Sequence, residues 1–137
     1  MPGVLPATGP LISLMLAVPD GPQAVAWYKD SLGATELWNL GSVAGLDLDG
    51  APFFVHESTG KGFGAPNSMG TTTARIEVFT DDPDVFVERA VQAGAIRHPD
   101  GMVDHQMPWG IHRQGGFTDP FGHTWSVGDK SPLSRKS

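Results

Sequence analysis

Cysteine is absent from all 137 residues. Its absence rules out disulfides, thiolate metal sites and a cysteine nucleophile, and it leaves the redox compartment open. Cations are scarce as well: nine Lys and Arg stand against fifteen Asp and Glu, a net charge of −6. They gather only in the tail Lys130 to Lys136, where a solvated terminus accounts for Arg135-Lys136. A nucleic-acid binder needs a basic face to displace counterions, so no nucleic-acid partner is expected. No apolar run is long enough to span a bilayer, so no membrane partner is expected either. The first residues show neither the basic segment nor the apolar stretch of a signal peptide. Pro2, Gly3, Pro6, Gly9 and Pro10 make an irregular lead-in, and a cytoplasmic location is the expectation.

What is present is a repeat. Val18-Pro19-Asp20-Gly21-Pro22 runs through an apolar-periodic stretch to Leu32-Gly33-Ala34. Phe79-Thr80-Asp81-Asp82-Pro83 runs likewise to Ala93-Gly94-Ala95, every pair the same distance apart with no gap. One module used twice is the direct implication, and such modules commonly enclose a site. With 39% hydrophobic and 18% charged residues the chain is globular, and its length suits a single domain. Module one covers about 11–57, a Gly/Ser/Asn-rich linker 58–70, module two about 71–128 and a tail 129–137.

Each module is predicted as strand, helix, then three strands. Leu11 to Val18 reads as a buried strand. Gly21-Pro22 opens a helix that buries Val25, Tyr28 and Leu32 and stops at a left-handed Gly33. Strands follow at Thr35 to Leu40, Ser42 to Asp47 and Pro52 to Glu57, the last two joined by the Asp49-Gly50 hairpin turn. In module two, Thr72 to Phe79 is a strand and Asp82 caps a helix from Pro83. That helix is expected to bury Val85, Phe86, Ala90 and Val91 and to end at Gly94. Ala95 to Arg97, Ile111 to Phe117 and His123 to Val127 complete the module, with His98 to Pro108 a loop. Trp125 and Trp27 are assigned to packing, and His123 to bracing its turn.

The doubled unit, Trp27-Tyr28-Lys29-Asp30 before Leu32-Gly33-Ala34, and Asp119-Pro120-Phe121-Gly122-His123-Thr124-Trp125 resemble the vicinal oxygen chelate superfamily. That is the group of glyoxalases, extradiol dioxygenases, fosfomycin-resistance enzymes and bleomycin-resistance proteins. The Asp119 to Trp125 turn is most similar to its PhnB-like branch. The resemblance covers roughly residues 11–128. It implies an α+β fold in which two tandem βαβββ modules form a curved, eight-stranded cup around a cavity. It also implies a frequent homodimer, with the linker of one subunit able to cover the cavity of the other. In metal-dependent members four cavity-facing side chains, commonly His, Glu or Gln, hold one divalent ion. By the same resemblance those four positions fall here on Ser13, Phe54, Arg75 (or Glu77, one strand repeat away) and Ser126. A hydroxyl, a phenyl ring and a guanidinium do not ligate such an ion. The implied metal site is dismantled, so no metal or other cofactor is expected.

Strand alternation puts residues two apart on one face. The cavity face then carries Ser13, Met15, Phe54, His56, Arg75, Glu77, Thr124 and Ser126, with Trp38 at rim or floor and Trp109 on a mobile loop. Arg75 and Glu77 are equally a salt-bridged pair along one strand, and His56 equally a surface histidine. His98, His105 and His112, with Asp100 and Asp104 between them, are a weaker candidate for a separate metal site. Ser/His/Asp catalysis is disfavoured because Ser13 and Ser126 lie on strands without a nucleophile elbow. Two functions follow. One is metal-free binding of a small, planar organic molecule, a natural product or antibiotic, for sequestration or resistance. The other is an enzyme, with Glu77 or His56 as general base and Arg75 holding an oxygen, in isomerase, cyclase or lyase chemistry alpha to a carbonyl, or a metal-dependent glyoxalase/dioxygenase-type reaction.

Overall fold

The computed structural model describes residues 9–60 and 62–134. The early lead-in (Pro2, Gly3, Pro6), Lys61 of the linker and Arg135-Lys136 of the tail lie outside the described residues. Internal contacts divide the chain between Gly70 and Thr71 into two units. Both are α+β, and each pairs one sheet with one long helix.

In the first unit β1 (Met15–Val18) leads into α1 (Gly21–Leu32), then β2 (Thr35–Asn39), β3 (Val43–Leu48) and β4 (Ala51–Glu57). The sheet order is β1-β4-β3-β2, with β1 parallel to β4 and the remaining pairs antiparallel. The helix begins where its sequence says it should: Asp20 accepts from Gln23 N at 2.9 Å, and Gly33 ends it with φ 76°. Gly21 has a second duty. Its amide donates to Glu57 Oε2 at 2.7 Å, and a Cβ there would sit 2.1 Å from Gly41 O. Val25, Tyr28 and Leu32 are buried as expected, against Leu16, Val18, Leu46, Phe53 and Val55 of the sheet. Tyr28 meets Phe53 edge-on at 5.6 Å. Asp49 (φ 51°) and Gly50 (φ 90°) form the expected two-residue turn between β3 and β4.

The second unit repeats the plan with β5 (Arg75–Phe79), α3 (Pro83–Gln92), β6 (Ile96–Arg97), β7 (Val103–Met107), β8 (Gly110–Thr118) and β9 (Thr124–Gly128). Its sheet runs β5-β9-β8-β6, with β7 also pairing β8 and β5 parallel to β9. Asp82 caps α3 through Val85 N at 3.2 Å. The core gathers Val87, Ala90, Phe117, Phe121, Trp125 and Val127, with Phe117 stacked on Trp125 at 5.8 Å.

Several expectations are corrected. Residues Leu11 to Leu14 are not buried strand: Ile12 is 97% exposed, and the pairing starts at Met15. The linker contains a one-turn helix α2 (Pro66–Met69). The stretch His98 to Pro108 is not all loop, because β7 forms a hairpin on β8; the two sheets therefore hold nine strands among the described residues where eight were expected. On α3 the inward residues are Pro83, Val87 and Ala90, while Val85 is exposed and Phe86 and Val91 are half-buried. The helix is rotated from the expected stripe because Pro83 and Val87 lie one turn apart on the face that Ala90 continues. No helix among the described residues is long and apolar enough to cross a membrane.

Candidate functional site

Each sheet has one face against its helix and one turned away from it. In the first unit, register pairs Met15 with Phe54, Ala17 with His56, and both His56 with Val43 and Phe54 with Gly45; Trp38 pairs with Gly45 in turn. Since paired residues share a face, Met15, Trp38, Phe54 and His56 lie together on the side away from α1. Ser13 joins them from before β1, where its Oγ donates to Pro52 O at 2.5 Å.

Trp38 is the largest element of this surface. Its indole lies over Gly45: a Cβ at Gly45 would come within 2.9 Å of both Cε2 and Nε1. Phe54 lies beside it at 5.9 Å with rings tilted by 34°, and Trp38 remains 41% exposed. Its neighbour Met15 is 47% exposed. His56 is half-buried, edge-on to Phe63 at 5.9 Å. Its Nδ1 lies 2.7 Å from Glu57 O, and a carbonyl only accepts, so Nδ1 is the donor and the neutral ring would keep its lone pair on Nε2. Gly45 and Phe63 were not singled out from sequence. A glycine inside a strand pattern signals close approach, and that was the available cue for Gly45.

In the second unit, Arg75 pairs with Thr124 and Glu77 with Ser126, again on the face away from the helix. Arg75 Nε donates to Glu77 Oε2 at 2.5 Å, both side chains being more than a third exposed. Ser126 is buried and its Oγ accepts from Gln114 Nε2 at 2.6 Å. Gln114 escaped the sequence reading because only the β8–β9 register brings it beside Ser126.

The remaining candidates lie elsewhere. Trp109 is not on a mobile loop; it occupies the tight turn between β7 and β8, and its Nε1 donates to Ser131 Oγ at 3.0 Å. His112 is buried with Nδ1 2.8 Å from Asp129 Oδ1 and 3.4 Å from Ser131 Oγ. Serine and aspartate sit on the same imidazole nitrogen, so this Ser-His-Asp grouping cannot relay a proton from serine to histidine to aspartate. Asp129 also accepts from the Arg113 and Ser131 amides, and these bonds, the Arg113 amide first, hold its carboxyl far below the usual range. His123 is buried at the turn, and its amide donates to Asp119 Oδ1. Trp125 is core, as expected, whereas Trp27 is only half-buried. Trp27 lines an open groove of about 720 Å³ with Gln23, Lys29, Glu36 and Asn39, which includes none of the expected site residues.

Among the described residues no three of His, Asp and Glu come together as a metal site. The residues at the four family-implied positions have other engagements, and Glu77, the alternative at the third, is a carboxylate paired with Arg75. Ser13 donates to a carbonyl, Phe54 has no donor atom, Arg75 is a cation bound to Glu77, and Ser126 is engaged by Gln114.

A sequence profile of the Glyoxalase/Bleomycin resistance protein/Dioxygenase superfamily matches residues 11–127. An uncharacterized protein of Mycobacterium bovis is 30% identical over 129 residues, covering 87% of this chain and 82% of that one. Among solved structures, TioX from Micromonospora is 27% identical at TM-score 0.67, covering 88% of this chain and 98% of its own. The fosfomycin resistance protein FosX of Mesorhizobium loti is similar at TM-score 0.64 with 14% identity, over 93% of this chain and 99% of its own, a likeness of fold. With nearly its whole length matched and the strand–helix–strand unit present twice, the chain belongs to the glyoxalase/bleomycin resistance protein/dioxygenase superfamily.

Proposed function

We propose that this protein binds a small, planar organic molecule without a resident metal ion, as a sequestration or resistance protein of the bleomycin-resistance kind. The observation that carries the reading is Trp38, laid across bare Gly45 beside Phe54 with its outer side open. An aromatic kept partly in water is a stacking surface in waiting: covering it releases hydration water, and ring geometry adds to the gain. Met15 offers a soft contact alongside, and Ser13 and His56 supply polar atoms at the edge. Within the superfamily, the Asp119 to Trp125 turn supports a place near the PhnB-like branch.

Titrating chelator-treated protein with naphthalene, flavone and phenazine derivatives, followed by tryptophan fluorescence and calorimetry, tests this. At least one class should bind at micromolar concentration, leave the solution unchanged chemically, and lose about tenfold in affinity in Trp38→Ala. Gly45→Ala should lose a similar factor, because the added methyl lifts the indole from its seat. Binding that neither substitution alters would contradict the proposal.

The enzyme reading keeps one specific support. The neutral His56 ring would present Nε2 as an acceptor, and Glu77 Oε1 has no partner among the described residues, so either supplies an atom able to take a proton. Steady conversion of a bound compound, abolished by His56→Gln or Glu77→Gln, would establish it in place of simple binding.

A further inference from the structure

The second unit's sheet carries polar atoms that the fold itself does not use. Arg75 holds Glu77 through Nε alone. Both terminal guanidinium nitrogens and Glu77 Oε1 are without partners among the described residues. Ser126, beside Glu77 in register, is only 4% exposed. Its Oγ is hydrogen-bonded to the Gln114 side-chain amide at 2.6 Å.

A solvent-exposed Arg–Glu pair on one strand is common and contributes about 0–1 kcal/mol. Two features here go further. The guanidinium is held side-on, so its forked end is fixed in direction yet open. Next to the pair lies a buried hydroxyl, Ser126 Oγ, held at 2.6 Å by the side-chain amide of Gln114, so two further polar groups border the open fork.

Charge selects the ligand class. Guanidinium and carboxylate in contact carry no net charge, so a free anion drawn to one is repelled by the other at nearly the same range. A group with an acceptor beside a donor satisfies both at once: its C=O accepts from Arg75 while its N–H donates to Glu77 Oε1. We infer that this face binds a neutral amide or lactam edge through Arg75 and Glu77, with Ser126 and Gln114 completing the hydrogen bonds. The inference goes beyond the aromatic reading and uses residues of the other unit, so the two stand or fall separately.

The probes are 2-naphthamide, 2-naphthoate and methyl 2-naphthoate, titrated into the full chain by calorimetry and by the ¹⁵N–¹H signals of Arg75 Nε and the Gln114 side-chain amide. The amide should bind about tenfold more tightly than the ester or the carboxylate and shift both signals. Glu77→Gln should abolish the advantage of amide over carboxylate while leaving the melting temperature within a few degrees. Tighter binding of naphthoate than of the amide to the unaltered protein would overturn the inference, as would an Arg75 signal unmoved at millimolar amide. If all three bind equally and depend on Trp38, this inference falls and the aromatic reading stands. If Trp38→Ala leaves the amide's affinity and preference intact, this inference stands, and the aromatic reading is decided by its own titrations.

Discussion

Asp119 ties a turn to the core through a single carboxylate. Its Oδ1 accepts from the amides of Phe121 and His123 at 2.9 and 3.0 Å, and its Oδ2 from Trp125 Nε1 at 2.9 Å. One carboxylate thus closes the turn and locks the largest core side chain in place. Asp119→Ala leaves three donors without this acceptor in a buried setting and should cost about 2–4 kcal/mol of unfolding free energy. Urea denaturation measures it, and a loss below about 1 kcal/mol would contradict the account. The turn motif was plain in the sequence because its spacing is local. Gly45 and Gln114 were not, since what each does depends on a partner strand: Trp38 comes over Gly45 from β2, and Ser126 reaches Gln114 from β9.

Among the elements, the helices were legible from their ends. Asp82 caps α3 as expected and its repeat partner's neighbour Asp20 caps α1, while the positive-φ glycines Gly33 and Gly94 follow the helix ends where the repeat places them. β7 was not legible, because Gly101 and Pro108 bracket a run whose middle residues Asp104, His105 and Gln106 are all exposed. A strand without a buried face leaves no period-two signal. The hairpin of β7 and β8 is instead tied to the segment after β9, where His112, Trp109 and the Arg113 amide meet Asp129 and Ser131. Asp129 titrates lower in the folded protein than in the unfolded chain, so its stabilisation is complete above about pH 4 and fades as pH falls below that. Asp129→Asn should therefore be less stable than the parent at pH 7, by about 1 kcal/mol for hydrogen bonds to a partly exposed carboxylate. The gap should narrow steadily between pH 4 and pH 2 in thermal melts. A gap independent of pH would show that the carboxylate's charge plays no part.

At the scale of the whole molecule, the internal repeat reported the architecture correctly, two sheet-and-helix units with parallel first and last strands in each. It could not report the ligand, because each sheet face is built from side chains that the repeat does not conserve between units: aromatic and soft in the first, polar and paired in the second. The central claim is that such a chain works without a resident ion. Calorimetric titration of chelator-treated protein with Ni²⁺, Mn²⁺, Fe²⁺ and Zn²⁺ tests it most directly. The account predicts only weak, non-stoichiometric heats from exposed histidines such as His105, unchanged in Glu77→Gln. Tight binding of one ion per chain, lost on substituting Glu77 or His56, would contradict it.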